Sequence, residues 1–150
     1  MTRADFYGVL AAETGLHPTP WTLGNFEDSL KSGHALWVAE EESSLVGYAV
    51  TMQVVDEAHL LNISVLEAWQ RGGRGAKIME YVLAQARATG AAKMFLEVRA
   101  GNQAAQRLYA RHGFSVIGRR KSYYALPNSP AAGQREDAIT MACALRTESD

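Results

Sequence analysis

Apolar residues recur along this chain with two different periods. Ile78, Met79, Val82, Leu83 and Ala86 follow the i, i+3, i+4, i+7 rhythm, which predicts a helix over 75–89 with one buried face and Gly90 closing it. A second helix is predicted over 102–112, with Ala105, Leu108 and Tyr109 on one side and Gly113 after it. Nearer the start, 3–14 reads as a helix stopped by Gly15. Thr22 then reads as the N-cap of a short helix ending near Ser32, with Gly33 just past its end. Alternating or continuously apolar runs predict strands over 35–40, 45–55, 59–65, 94–98, 114–117 and 137–145, and the polar turn 41–44 makes the first two an antiparallel hairpin. The stretch between the last two strands, rich in Pro, Asn, Ser and Gly, reads as irregular. Antiparallel strands followed by strand–helix–strand–helix–strand predict an α/β fold, a mixed sheet with helices on its faces. Nothing resembling a repeat or linker divides the sequence, so one domain over 1–150 is expected.

Composition narrows the function more than the fold. The chain has 150 residues, 47% hydrophobic and 21% charged, enough for one packed core without covalent staples. Its 15 Lys and Arg against 16 Asp and Glu give a net charge of −1, without the overall basic field of a nucleic-acid binder, so no direct nucleic-acid contact is expected. The single cysteine, Cys143, lies in the apolar run 141–145 and reads as a small buried hydrophobe, which rules out an intrachain disulfide and an all-cysteine zinc site. His17, His34, His59 and His112 are scattered without metal-ligand spacing, so no metal is expected. No apolar stretch approaches the ~20 residues that cross a bilayer, and Asp5 stands where a signal peptide would begin its apolar core. A soluble, cytoplasmic protein with no membrane partner is expected.

The segment Gln70-Arg71-Gly72-Gly73-Arg74-Gly75-Ala76-Lys77 carries the strongest chemical signal, because it joins a predicted strand to a predicted helix. Glycines there let the backbone approach a ligand closely, and the first N–H groups of a helix favour an anion. Arg71, Arg74 and Lys77 add positive charge, so a phosphate-bearing ligand is expected; the bland alternative is a flexible turn with solvated basic residues. The P-loop pattern fails because Ala76 follows Gly75, and the dinucleotide fingerprint fails because Ile78 stands at its third glycine. Downstream, Glu97 lies inside the apolar strand Met94-Phe95-Leu96-Glu97-Val98, where an ionisable group is costly unless paired or functional. It reads either as a general base or as a strand-end carboxylate that faces solvent or pairs with Arg99. Tyr109 lies seven residues after Asn102, two helical turns on and roughly on the same face.

Gln70-x-x-Gly73-x-Gly75 resembles the Q/R-x-x-G-x-G/A signature of the GNAT superfamily of acetyl-CoA-dependent N-acetyltransferases. Asn62-Ile63-Ser64-Val65, Leu96-Glu97-Val98-Arg99 and Asn102-x-x-Ala105-x-x-Leu108-Tyr109-x-x-x-Gly113-Phe114 match at the expected distances. With Pro20-Trp21 and Arg135-Glu136-Asp137-Ala138, the pattern is similar to the RimI type, the ribosomal-protein alanine N-acetyltransferases, over roughly residues 20–145. The resemblance implies a GNAT fold: a single mixed, mostly antiparallel sheet of six to seven strands with about four helices. It implies acetyl-CoA as co-substrate, its pantetheine arm paired to the backbone of Ile63, Ser64 and Val65. The pyrophosphate would rest on main-chain N–H groups of Arg71, Gly72, Gly73, Arg74, Gly75 and Ala76, and Asn102 would bond near the reactive end. Glu97 would be the general base, directly or through a water, and Tyr109 the general acid, its bland alternative being a core tyrosine.

For the acceptor, the resemblance implies a protein or peptide N-terminus, with that of a ribosomal protein as the candidate. An α-amine of pKa about 7.7–8.0 is far easier to deprotonate than a lysine near 10.4. A small-molecule amine, a lysine side chain, and a non-catalytic acyl-CoA-binding module remain as alternatives. Trp21, Tyr123, Tyr124 and residues 125–134 are candidates for walling the acceptor groove, and the last segment is longer than its RimI-type equivalent. The cluster Arg119-Arg120-Lys121 reads as a solvated strand end or as a docking patch for an acidic or ribosomal partner.

Overall fold

The computed structural model describes residues 1–18, 20–125 and 135–146. A 3-10 turn at Arg3–Asp5 leads into α1 (Phe6–Leu16), followed by α2 (Leu23–Lys31), β1 (Ala35–Glu41), β2 (Ser44–Val54) and β3 (Glu57–Val65). A second 3-10 turn, Glu67–Trp69, precedes α3 (Arg74–Ala88), and then come β4 (Lys93–Arg99), α4 (Gln103–Arg111), β5 (Ser115–Ala125) and β6 (Arg135–Ala144). The strands form one six-stranded sheet in the order β1-β2-β3-β4-β6-β5. β3 and β4 run parallel, from Glu57↔Lys93 to Leu60↔Leu96, whereas β1–β2, β4–β6 and β5–β6 are antiparallel. This is the mixed α/β architecture that the hydrophobic pattern predicts.

Contacts gather the chain into two compact units, Met1–Met52 with Leu61–Val82, and Gln53–Leu60 with Leu83–Asp150. In the first, Phe6 and Val9 of α1, Phe26 of α2, Leu36 of β1 and Tyr48 and Val50 of β2 form a buried cluster, with the Phe26 ring 5.8 Å from Phe6 and 5.0 Å from Trp21. Thr22 caps α2 as predicted, its hydroxyl accepting from Asn25 N at 3.2 Å while Asn25 Oδ1 accepts from Thr22 N at 2.9 Å. Glu42 and Ser43, at φ 50° and 67°, make the two-residue turn whose twist suits the β1–β2 hairpin. Gly47 is required by close approach: a Cβ there would lie 2.5 Å from Ser64 O and 2.7 Å from Ile78 Cδ1.

In the second unit, β4 alternates cleanly. Met94, Leu96 and Val98 are buried and pair with Cys143, Met141 and Ile139, while the half-buried Phe95, Glu97 and Arg99 share the opposite face with Ala142, Thr140 and the buried Ala138. The strand β5 differs most from expectation. It runs from Ser115 to Ala125, so the first part of the stretch expected to be irregular is a strand. Between the pairs Arg120↔Ala138 and Tyr124↔Glu136, β5 carries two more residues than β6, and Ser122 takes φ 54° at this bulge. Asp137 pins it, accepting from Ser122 N at 2.9 Å and from Arg119 Nε at 2.6 Å. The Ser122 backbone bond and the Arg119 guanidinium hold the Asp137 carboxyl below the usual carboxylate range, so the pin persists until the pH falls below that range. At the other end of the chain, α1 continues through Gly15 to Leu16, because one exposed glycine costs a helix only about 1 kcal/mol.

Candidate active site

In the first unit, the chain leaves β3, makes the 3-10 turn, and reaches α3 through the predicted loop. Gln70 Nε2 donates to Val65 O at 2.9 Å, tying the loop back to the strand end. Arg71 (φ 68°) and Gly73 (φ 77°) sit in the left-handed region on either side of Gly72, and alternation of this kind is what backbone anion-binding concavities are built from. Lys77 N donates to Gly73 O at 3.1 Å, the first helical bond of α3. The N–H groups of Arg74, Gly75 and Ala76 therefore belong to the first turn and have no carbonyl of their own helix to bond. Donor set and backbone shape both fit a pyrophosphate.

The Arg74 side chain does not join that cradle. Its guanidinium grips Glu41 at 2.9 and 3.0 Å, lies 4.7 Å over the Trp69 ring and bonds Trp69 O at 3.3 Å. The bonded guanidinium holds the Glu41 carboxyl below the usual carboxylate range. The Arg74 charge is thus taken up in fixing the loop, and only its backbone N–H is left to face an anion.

Ile63 and Val65 are half-buried on β3, and Ser64 is buried. The Ser64 hydroxyl belongs to a buried polar network absent from the sequence-based expectations. Glu13 of α1 is 1% exposed, and its carboxylate accepts from Trp21 N at 2.9 Å, Tyr48 Oη at 2.7 Å and Asn62 Nδ2 at 3.0 Å. Ser64 Oγ donates to Asn62 Oδ1 at 2.9 Å, so it accepts from His17 Nε2, 2.8 Å away. His17 Nε2 is also 3.4 Å from Glu13 Oε1. Serine and carboxylate meet the same ring nitrogen, so this is no Ser–His–acid triad, in which they meet opposite nitrogens. The network instead locks residues 62–64 of β3 to α1. One signal for it was present: Glu13 falls on the Phe6–Val9–Glu13–Leu16 stripe, where a solvated glutamate does not belong.

The second unit holds the residues assigned to transfer chemistry. Glu97 pairs with Arg120, Oε1 to Nε 3.1 Å, and its side chain is 26% exposed. Its sequence neighbour Arg99 pairs instead with Glu136 at 3.3 Å and lies 4.5 Å over the Tyr124 ring. Glu136 also accepts from Gly101 N at 2.9 Å, and Gln106 Nε2 donates to Arg99 O and Ala100 O, so the turn into α4 is held from two sides. Asn102 is the N-cap of α4, its Oδ1 accepting from Ala105 N at 3.2 Å. That leaves its amide N–H groups as the donors for a ligand carbonyl.

Tyr109 is buried, its ring 5.9 Å from Phe114, and burial together with the nearby Tyr124 phenol pushes its pKa up to about 12. The Tyr124 phenol is also raised, by burial first and then by Glu97. Tyr124 is therefore the side chain whose surroundings link Glu97 to Tyr109. Tyr123 packs edge-on to it at 5.1 Å. Of the other candidates for the acceptor wall, Trp21 packs on Phe26 in the first unit, and residues 126–134 lie outside the described residues.

The Tyr109 shift gives a pH expectation with a definite sign. A folded-state value of about 12 exceeds the unfolded value near 10, so stability from this group is complete below about pH 10 and lost as pH rises towards 12. At pH 9 only about a thousandth of the phenol is ionised. A pH profile of kcat should therefore show no falling limb from Tyr109 below about pH 10. A limb between pH 8 and 9 that vanishes in Tyr109→Phe would contradict the burial seen here.

The acetyltransferase (GNAT) family model matches residues 4–114. The chain is 33% identical over 145 residues to the [ribosomal protein bS18]-alanine N-acetyltransferase of Haemophilus ducreyi, covering 97% of each chain. It is 35% identical over 142 residues to the protein of that name from Escherichia coli K12, covering 95% of this chain and 93% of the relative. The crystal structure of the ribosomal-protein-S18-alanine N-acetyltransferase from Escherichia coli superposes with a TM-score of 0.87 at 31% identity, covering 98% of this chain and 92% of that one. Among the described residues, no helix is long and apolar enough to cross a membrane.

Proposed function

Because the chain belongs to the acetyltransferase (GNAT) family and, within it, to the RimI type, we propose that its acetyl-CoA-dependent transfer acts on the N-terminal amine of a ribosomal protein, with Glu97 as base and Tyr109 as acid. The observation that carries the acceptor is the 33–35% identity, over nearly the whole chain, to enzymes named for the N-terminal alanine of ribosomal protein bS18. Acetyl-CoA supplies an activated acyl carbon and a thiolate leaving group. The cradle at Arg71, Gly72, Gly73, Arg74, Gly75 and Ala76 holds its pyrophosphate, the backbone of Ile63, Ser64 and Val65 pairs with its pantetheine arm, and the Asn102 amide bonds it nearer the thioester.

The amine nitrogen forms its bond to the acyl carbon as the carbon–sulfur bond breaks. Glu97 receives the proton the nitrogen sheds, and Tyr109 faces the departing sulfur. Moving a proton from a phenol near 12 to a thiolate whose thiol lies near 8.5 is uphill, by on the order of 5 kcal/mol. The hydrogen bond Tyr109 donates to developing negative charge therefore contributes more than a completed transfer.

A panel of acceptors tests this reading through thiol release. Peptides beginning with the Ala terminus of the organism's own bS18 should turn over at least about tenfold faster, by kcat/KM, than their Nα-blocked forms carrying a free lysine, given the ~2.5-unit difference in amine pKa. Equal rates on blocked lysine peptides or on polyamines would replace the N-terminal acceptor with a side-chain or small-molecule amine.

A further inference from the structure

Glu97, Arg120 and the strand between them form an arrangement that the transfer chemistry above does not use. β4 and β5 are separated by β6, which places their backbones about 10 Å apart. Across the face that carries Glu97, one row runs Glu97–Thr140–Gly118 and the next runs Arg99–Ala138–Arg120. Arg120 therefore reaches Glu97 diagonally over β6. Small residues flank that path: Ala138 is fully buried in its row and Gly118 has no side chain. The bulge pinned by Asp137 begins immediately after Arg120, whose guanidinium also lies 5.3 Å from the Tyr123 ring. The pair thus rests on a register, a pinned bulge and an aromatic shelf, although the Arg120 side chain is 60% exposed. An isolated exposed pair of this kind contributes little to stability, typically below about 1 kcal/mol.

We infer that Arg120 is a positioning residue for Glu97, holding the Oε1 oxygen so that Oε2 is aimed to receive the acceptor's proton. The inference rests on the reading of Glu97 as the base. A carboxylate on three rotatable side-chain bonds would otherwise present either oxygen in many orientations, and misplacement of a reacting group by about 1 Å can cost up to two orders of magnitude in rate. One Arg120 nitrogen on one oxygen removes most of that freedom while the second oxygen keeps its lone pairs. The basic cluster at 119–121 is thereby divided: Arg119 fixes the bulge through Asp137, and Arg120 serves the base.

The test is a kinetic double-mutant cycle on the full chain. Arg120→Ala should lower kcat roughly tenfold, with KM for acetyl-CoA within about twofold of the parent. Arg120→Lys, which restores one donor, should recover at least about a third of the lost rate constant. In a Glu97→Gln background, Arg120→Ala should have no further effect on kcat, because the oxygen it aims no longer takes a proton. Thermal melts of the parent and all four variants verify that each is folded. Unchanged kcat in Arg120→Ala, or an equal loss in both backgrounds, would overturn this inference and leave the base assignment standing. Full activity of Glu97→Gln alone would remove the base assignment, and the inference with it.

Discussion

Glu97→Gln is expected to lower kcat on an N-terminal peptide by on the order of 10²–10³-fold at pH 7, with KM for acetyl-CoA within about twofold. The substitution preserves volume, and the amide oxygen can still accept from Arg120 Nε where Oε1 does now, at 3.1 Å. What it loses is the ability to receive a proton. About a tenth of an α-amine is neutral at pH 7, so supplying neutral amine from solvent costs only about tenfold. The larger share of the loss must come from the transition state, where the nitrogen becomes more acidic as it bonds to carbon and needs an acceptor in place. Raising the pH from 7 to 9 should therefore return no more than about tenfold of the defect. Steady-state thiol release at both pH values decides the matter. A variant with the parent's kcat at pH 7 would sink the base assignment.

The limit of sequence reading is visible at Glu97. The cap of α2 and the hairpin at Glu42 and Ser43 were legible because each is made by neighbours in the chain, two or three residues apart. Glu97 was legible as a chemically loaded position, since it interrupts an apolar strand, but its partner was not. Arg99 is its nearest same-face neighbour, yet the structure gives Arg99 to Glu136 and Glu97 to Arg120, 23 positions on. That exchange depends on β6 lying between β4 and β5 and on the bulge that follows Arg120, neither of which leaves a local mark. β5 was foreshortened for a related reason. It is an edge strand carrying Gly118, Arg119, Arg120 and Lys121, and its solvent-facing polar run has the composition of a loop.

The loop before α3 shows a different limit: its backbone takes the shape its glycines suggest, while one of its basic side chains turns elsewhere. Gly73 adopts the left-handed φ that glycine favours, and α3 begins directly after it, at Arg74. Arg74, however, counts in a sequence only as a positive charge. Nothing in the spacing says that Glu41, at the end of β1 and 33 residues earlier, takes its guanidinium. Backbone chemistry at the loop was therefore more legible than side-chain chemistry, because the first is fixed by chain geometry and the second by whichever opposite charge the fold brings near.

Glu13 carries the largest expected stability effect. Glu13→Ala should reduce the free energy of unfolding by about 3–5 kcal/mol, a large part of the 5–15 kcal/mol that holds a typical domain together. The loss is not chiefly that of a salt bridge, since His17 Nε2 stands 3.4 Å away and bonds Ser64 more closely. It comes from three donors left in the interior without an acceptor: the Tyr48 hydroxyl, the Asn62 amide and the Trp21 backbone N–H. Each unsatisfied donor costs about 1–3 kcal/mol. The Tyr48 phenol cannot relieve this by ionising, because burial, the largest cause of its raised pKa, remains when the carboxylate is gone.

Glu13→Gln separates donor satisfaction from volume. Its oxygen can take the place of Oε1 and serve Tyr48 and Asn62, but its NH₂ then faces the Trp21 N–H, donor against donor, so a smaller loss of about 1–3 kcal/mol is expected. Since Asn62 and Ser64 hang from this carboxylate, the β3 segment proposed for the pantetheine arm should loosen with it. The KM for acetyl-CoA should therefore rise in Glu13→Gln even under conditions where the variant is fully folded. Denaturant unfolding of parent, Gln and Ala variants, read beside that KM, distinguishes the outcomes. An Ala variant within about 1 kcal/mol of the parent would mean that the donors find other acceptors. A folded Gln variant with unchanged KM would mean that the network holds the core and not the cofactor strand.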